Sequence, residues 1–327
     1  MRLSVAVANR PHVRALLAGE TGPAGYELAP VRVDPIISAY RQMVRDLAFD
    51  VCELAPVTCL MALRAGVPIR PIPVFLDRRF HHGDLRCAAA SGIATPADLE
   101  GQRVGVRAYS VSTGVWGRGM LAEDFAVDLD RVTWVVDDDD HLPVPPMSNV
   151  ERVNDGRSLG ELLRAGRIDA AFGGNAGTGR AGAPRPGWAQ THTEPPAGIG
   201  AAGSGSPYPL FEHPDALARG SYRRTGIYPL HAVVVVRADL VARDPGLPSA
   251  LYAAFAESKR RHLARDPSWE TVPHLRRQRE LVDGDPLPYG PLPNAPTLDA
   301  LVRFSRSQGV VAGDPGELFP AGDYPAA

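Results

Sequence analysis

The chain has 327 residues, 44% of them hydrophobic and 22% charged, with a net charge of −2. That length permits one large domain or two of ordinary size, and the near-neutral charge argues against a nucleic-acid binder or a polybasic membrane binder. Three cysteines, Cys52, Cys59 and Cys87, lack metal-type spacing and leave one unpaired, which suits a reducing compartment. The opening run Met1–Ala8 is too short for a signal peptide, and no stretch reaches the length needed to span a bilayer. The expectation is a cytoplasmic protein with a small-molecule partner, no nucleic acid and no membrane, and with a homo-oligomer left open.

Taken in order, short apolar strands alternate with helical patterns. Leu3 to Ala8 reads as a strand that ends at Asn9-Arg10-Pro11-His12, and Val13 to Ala18 as a helical piece. Tyr26 to Val33 reads as a strand, and Ser38 to Leu47 as a helix with Tyr40, Met43, Val44 and Leu47 at helix spacing. Phe49 to Leu54 is a strand, and Pro56 opens a helix through Leu63, a favoured place for proline. Pro71 to Leu76, Leu85 to Ala89, Arg103 to Val106, Val132 to Val136 and Ile168 to Phe172 read as further strands. Thr95 to Leu99 is a short capped helix, and Leu159 to Leu163 another helix. After a long break, Ala232 to Arg237 is the strongest strand signal. Helices are expected at Pro248 to Arg265, Val272 to Val282 and Thr297 to Gln308. Such alternation predicts mainly parallel α/β sheets with ligands at the carboxyl ends of strands.

The stretch Tyr109-Ser110-Val111-Ser112-Thr113-Gly114-Val115-Trp116-Gly117-Arg118 follows one of these strands and opens a helix expected from about Ser112 to Asp124. The first N–H groups of a helix lack internal partners, and the macrodipole favours negative charge there. With the hydroxyls of Ser110, Ser112 and Thr113, this reads as a cradle for a carboxylate. Simple capping by Ser112 or Thr113 is the competing reading. The segment from Gly173 to Ser206 is dominated by Gly, Ala, Pro, Ser and Thr and buries little; it is expected to form a surface loop. Asp137 to Asp140 with His141 is expected to be a solvated acidic loop, since consecutive residues rarely converge on one metal ion.

Six blocks carry a resemblance. They are Phe49-Asp50-Val51-Cys52-Glu53; Pro73-Val74-Phe75 with Arg78, Phe80 and His82; Thr95 to Val106; Tyr109 with Val115-Trp116 and Arg118-Gly119; Tyr222 to Ile227; and Pro288-Tyr289-Gly290 with Pro293-Asn294. In this order the chain resembles the 4,5-dihydroxyphthalate decarboxylase family. The resemblance implies an α/β, two-lobed fold like that of type II periplasmic binding proteins, with mixed, mainly parallel sheets and a ligand cleft between the lobes. One lobe would hold residues 1–102 and 230–327, the other 103–229.

It also implies a cofactor-independent decarboxylase acting on an anionic aromatic or cyclic carboxylic acid. Such a reaction needs donors for carboxylates, an acid to protonate the ring carbon and a partner for a phenol. His82 is the candidate proton donor, since imidazole titrates near neutral pH. Glu53, just after an apolar strand, is the candidate to accept a phenolic proton or to orient His82. Substrate-binding candidates are Arg10, Arg78, Arg107, Tyr109, Ser112, Thr113, Trp116, Arg118, Arg224 and His231. Among them Arg118 is the candidate carboxylate fork, Arg224 is placed to line the hinge side, and Tyr109 and Trp116 are candidate faces for an aromatic ring. No metal or organic cofactor is expected.

The chain departs from the family pattern at several places. Asn9-Arg10-Pro11-His12 stands where the family carries an acidic and aromatic run, Arg107-Ala108 where it carries Pro-Glu, and Ser112 where it carries threonine. The family histidine falls one residue after His231, and on a strand one residue turns a side chain to the other face. Two alternatives stay open: a non-catalytic binding protein for a small carboxylate, and a different enzyme on the same scaffold.

Overall fold

The computed structural model describes residues 1–154, 156–178, 205–313, 318–319 and 322–327. Its elements begin with β1 (Arg2–Ala6), α1 (Arg14–Leu17), β2 (Glu27–Pro30), α2 (Ile37–Asp46), β3 (Val51–Leu54), α3 (Pro56–Arg64) and β4 (Ile69–Arg78). Next come β5 (Leu85–Cys87), β6 (Arg103–Gly105), α4 (Ser112–Phe125), β7 (Thr133–Val136), β8 (Val150–Arg152), α5 (Leu159–Arg164) and β9 (Ala170–Phe172). The chain closes with β10 (Tyr208–Pro209), α6 (Pro214–Thr225), β11 (Leu230–Arg237), α7 (Ala238–Arg243), α8 (Leu247–Arg265), α9 (Pro273–Val282) and α10 (Ala295–Ser307). Most of the Gly/Pro-rich loop expectation lies outside the described residues, as its positions 179–204 do. Among the described residues no helix is long and apolar enough to cross a membrane.

The chain divides into two units. The first holds Met1–Arg79, Thr225–Val302 and Ala312–Ala327, and the second Phe80–Arg224 and Arg303–Val311. The first crossing therefore falls at Arg79/Phe80 and not at residue 102. The reason is pairing: β5 runs antiparallel to both β9 and β10 and so belongs to the second sheet.

In the first unit the strand order is β2-β1-β3-β11-β4. The strands β1, β2 and β3 are parallel, and β11 is antiparallel to both β3 and β4. The carboxyl ends of β1, β3 and β4 and the amino end of β11 thus share one edge. Val233 to Val236 and all four residues of β3 are buried, as expected of strands covered on both faces. Lys259 on α8 is buried with them. Its ammonium donates to Asp285 at 2.6 Å and to the carbonyls of Leu287 and Ala327 at 2.8 and 2.9 Å.

In the second unit the order is β10-β5-β9-β6-β7-β8. β6 is parallel to β7 and β9, and β7 to β8, so the carboxyl ends of β6, β7 and β9 share an edge with the amino end of β5. α4 packs closely enough that two of its glycines are required. A Cβ on Gly117 would meet the Phe172 ring at 2.3 Å, and one on Gly119 the Phe304 ring at 2.1 Å. Residues 303–311 belong here because Phe304 and Gln308 pack on α4: Gln308 donates to the Val115 carbonyl at 2.9 Å and accepts from Arg118 at 2.8 Å. We expect Gly119→Ala to cost about 1–3 kcal/mol through overpacking, read as a lowered melting temperature with the helical circular dichroism signal retained.

Candidate functional site

At the carboxyl edge of the first sheet, Glu53 ends a run of buried strand residues and is itself fully buried. One carboxylate oxygen accepts from the Ala8 N–H at 2.8 Å and from Arg10 Nη1 at 2.6 Å. The other accepts from Arg10 Nη2 and from the Tyr40 hydroxyl, each at 3.0 Å. Burial works against the Arg10 guanidinium, but the charge and hydrogen bonds of Glu53 outweigh it and hold Arg10 firmly protonated. The same surroundings push the Tyr40 phenol well up, first through burial and then through the Glu53 charge. As an acceptor for a phenolic proton Glu53 is therefore poorly placed: the four hydrogen bonds use the lone-pair directions a carboxylate offers.

Asp77, at the end of β4, accepts from His274 Nε2 at 3.1 Å and from the backbone N–H of Arg78 at 2.9 Å. Burial pushes the Asp77 carboxyl up. The His274 hydrogen bond and the charges of Arg10, His231 and His274 more than reverse this and hold it well below the usual carboxylate range. His12 is buried and pushed down to about 3, by burial and then by the charges of Arg10 and His262, so it is neutral near pH 7. Arg78 is tied into the fold. It is buried, donates to the Tyr228 carbonyl at 2.8 Å and lies 4.3 Å over the Tyr228 ring. His231 is half-buried at the start of β11, at an irregularity in the pairing with β4.

In the second unit His82 precedes β5 and is 5% exposed. Its Nε2 lies 3.3 Å from Asp124 Oδ2, and the rings of Phe80 and Phe211 flank it at 6.3 and 6.4 Å. Asp124, near the end of α4, also accepts from Arg224 of α6. Burial raises the Asp124 carboxyl, but hydrogen bonds from His82 and Ser221 and the charges of His82 and Arg224 bring it below its ordinary value. An ionised carboxylate only accepts, so Nε2 carries the hydrogen of this bond. Nδ1 of His82 is buried with no hydrogen-bond partner among the described residues. Asp124 was not legible as part of a site, because it lies 42 positions along the chain from His82. The same holds for Tyr40, Asp77 and His274, none of which carries a motif signal.

The helix expected to cradle a carboxylate does start at Ser112. Its N-cap, however, is Val111, which makes no side-chain cap, so neither Ser112 nor Thr113 is the capping residue. Ser112 and Thr113 are buried in the first turn. Ser110 is engaged by a carboxylate from within the chain: its N–H and hydroxyl both donate to Asp140 Oδ1 at 2.6 Å.

The aspartate run is not a solvated loop. Asp137, Asp138 and His141 are buried, and the four aspartates turn to different partners. Asp137 accepts from the Leu159 N–H at 3.3 Å, Asp138 lies 3.9 Å from Arg107, Asp139 pairs with Arg152 at 2.8 Å and Asp140 takes Ser110. Among the described residues no three His, Cys, Asp or Glu side chains converge as a metal site.

Arg118 and Tyr109 are spent on each other. Arg118 is fully buried, donates to the Tyr109 carbonyl at 2.6 Å and lies 4.0 Å over the Tyr109 ring. Trp116 is core, edge-on to Phe304 at 5.9 Å. Arg107 is buried beside Asp138 and holds the acidic run through its own carbonyl, which accepts from the Asp138 N–H at 2.8 Å.

Asp124 has its proton affinity depressed in the fold, so it contributes stability above the unfolded carboxylate value near 4. That contribution is lost as pH falls through the folded value. Urea-unfolding midpoints measured against pH should show wild type more stable than Asp124→Asn at pH 6, with the gap closing as pH drops below about 4.

No family model matches the chain. A 4,5-dihydroxyphthalate decarboxylase from Comamonas testosteroni is 29% identical over 98% of this chain and 96% of its own length. One from Pseudomonas putida is 31% identical over 54% of this chain and 71% of its own length. Among solved structures, the periplasmic sulfonate-binding protein SsuA from Methylobacillus flagellatus KT is similar with a TM-score of 0.50 at 11% identity, over 95% of this chain and 88% of that one. That likeness shows the fold alone: two α/β units of the type II periplasmic-binding-protein kind.

Proposed function

Because this chain belongs to the 4,5-dihydroxyphthalate decarboxylase family, we propose that it is a carboxy-lyase that releases carbon dioxide from an anionic aromatic or cyclic carboxylic acid. The observation that carries the residue assignment is the His82–Asp124 pair. Asp124 takes the Nε2 hydrogen, and Nδ1 has no hydrogen-bond partner among the described residues, so it is the ring nitrogen not already committed. An imidazole set this way is suited to general acid catalysis.

In the proposed step the imidazolium of His82 gives its Nδ1 proton to the ring carbon that bears the carboxylate, and a new C–H bond forms there. The C–C bond to the carboxylate then breaks. Its electron pair returns to the ring, restores aromaticity, and carbon dioxide leaves. A ring hydroxyl supplies electrons to the protonated carbon, so the scheme calls on no metal or organic cofactor. The imidazole is almost fully buried, with the rings of Phe80 and Phe211 beside it. Arg224 holds Asp124 as the anion that the imidazolium needs behind it.

The test has two parts. The pure protein is screened by thermal shift against aromatic and cyclic mono- and dicarboxylates, and each stabilising ligand is followed by mass spectrometry for loss of carbon dioxide. A ligand that stabilises and is consumed supports the lyase. Ligands that stabilise but stay intact turn the reading to a binding protein. His82→Gln keeps a donor for Asp124 but no titrating group; kcat should fall about 10²–10⁴-fold while the substrate dissociation constant changes little. Unchanged turnover in that variant overturns the role of His82.

A further inference from the structure

Glu53 and Arg10 form an unequal pair. Glu53 is fully enclosed, and all of its hydrogen bonds go to the protein. The Arg10 side chain keeps 18% of its surface exposed. Of the five N–H groups of a guanidinium, Arg10 gives two to Glu53, one from Nη1 and one from Nη2. The bond pattern is end-on, so the Nε–H and the outer hydrogens of both Nη atoms are left over, and they make no hydrogen bond to a described residue. One edge of the guanidinium, Nε with its neighbouring Nη, thus keeps the parallel donor pair that matches a carboxylate.

This edge sits where the fold delivers its strand ends. Arg10 follows β1, Glu53 lies in β3, and Asp77 is the last residue but one of β4. We propose that the first unit binds a carboxylate on the Nε–Nη edge of Arg10, and that Glu53 is the positioning residue that holds this edge in place rather than a proton acceptor.

The charge balance sharpens the kind of ligand. Glu53 cancels the Arg10 charge at contact distance, and Asp77 adds a negative charge nearby. The site is therefore not a general attractor of anions. It recognises by the fork's shape and donor spacing, which favours a planar monoanionic carboxylate over a phosphate dianion of higher charge. The Coulomb field of a free arginine would favour the reverse.

Glu53 makes the discriminating experiment possible, because shape and charge predict opposite results when it is neutralised. Binding of benzoate, phthalate and inorganic phosphate is measured by isothermal titration calorimetry on the full chain. Wild type should bind a carboxylate and prefer it to phosphate. Arg10→Gln should lose at least about tenfold in carboxylate affinity. Arg10→Lys, which keeps the charge and loses the fork, should lose about as much. Glu53→Gln unmasks the Arg10 charge but frees its plane, and it should weaken carboxylate binding about fivefold or more.

Tighter carboxylate binding by Glu53→Gln overturns the positioning role. Wild-type affinity in Arg10→Gln, full rescue by Arg10→Lys, or no carboxylate binding by wild type overturns the site. Should Glu53→Gln fail to fold, Tyr40→Phe keeps both charges and removes one restraint on Glu53. A loss of about twofold to fivefold supports positioning, and unchanged affinity overturns it. None of these readouts needs carbon dioxide release. A hydroxylated aromatic carboxylate that binds through Arg10 and is not consumed counts against the lyase reading and leaves the Arg10 site standing, and turnover with intact affinity in Arg10→Gln does the opposite.

Discussion

A charge taken out of water must be met by another charge or by hydrogen bonds, and this constraint sorts the basic residues of the chain. All but one of the 35 basic residues are arginines. In sequence a buried structural arginine and a ligand-binding one look the same. In the fold they separate by where their donors go. Arg118 and Arg78 turn to main-chain carbonyls and lie over aromatic rings, and both are almost fully buried. These are ties, and an external carboxylate would have to break them. Arg10 differs on both counts, since its partner is a single carboxylate and part of its side chain reaches solvent.

The same constraint explains the aspartate run. Four consecutive carboxylates left together would repel one another, and burying them as a group would cost more. The chain instead fans them out to a helix start, two arginines and a serine. The result joins the carboxyl ends of β6 and β7 to the start of α4 and to α5. Asp140 reaches Ser110, just ahead of a helix start whose polarity favours negative charge, and burial pushes the Asp140 carboxyl up against that gain. Part of what reads in sequence as a cradle for a substrate carboxylate thus already holds a carboxylate of the protein.

The fold was legible where local pattern and tertiary burial agree. Val233 to Val236, Val51 to Leu54 and the helix opened by Pro56 all appear where the apolar runs place them. The short strands β8 and β10 bury no residue and so carry no apolar pattern to read, and α6 has only Ala218 buried, so its apolar stripe is faint. The site was legible only in halves. His82, Glu53 and Arg10 could be named because they follow apolar runs. Their partners Asp124 and Tyr40 could not, since a helix-end aspartate and a helix-face tyrosine look like surface and core until the fold closes. The helix spacing of the sequence puts Tyr40 on an apolar face. It is buried, and the polar end of the ring is what finds Glu53.

The histidine at the start of β11 shows how far a sequence argument about register can be trusted. A one-residue displacement on a regular strand moves a side chain to the opposite face. Here the strand is not regular: Leu230 pairs with Arg78 and Ala232 with Asp77, so His231 is the additional residue at that step. An extra residue breaks the alternation locally and re-aims the side chain beside it. The displacement of His231 from the family pattern therefore carries less weight than it does on paper. Of the two arginines that depart from the family pattern, Arg107 is buried against Asp138 and its own loop. Arg10 is left as the departure that changes what the surface of the first unit offers, because it adds a charged fork and fixes it with a carboxylate that the fold has fully enclosed.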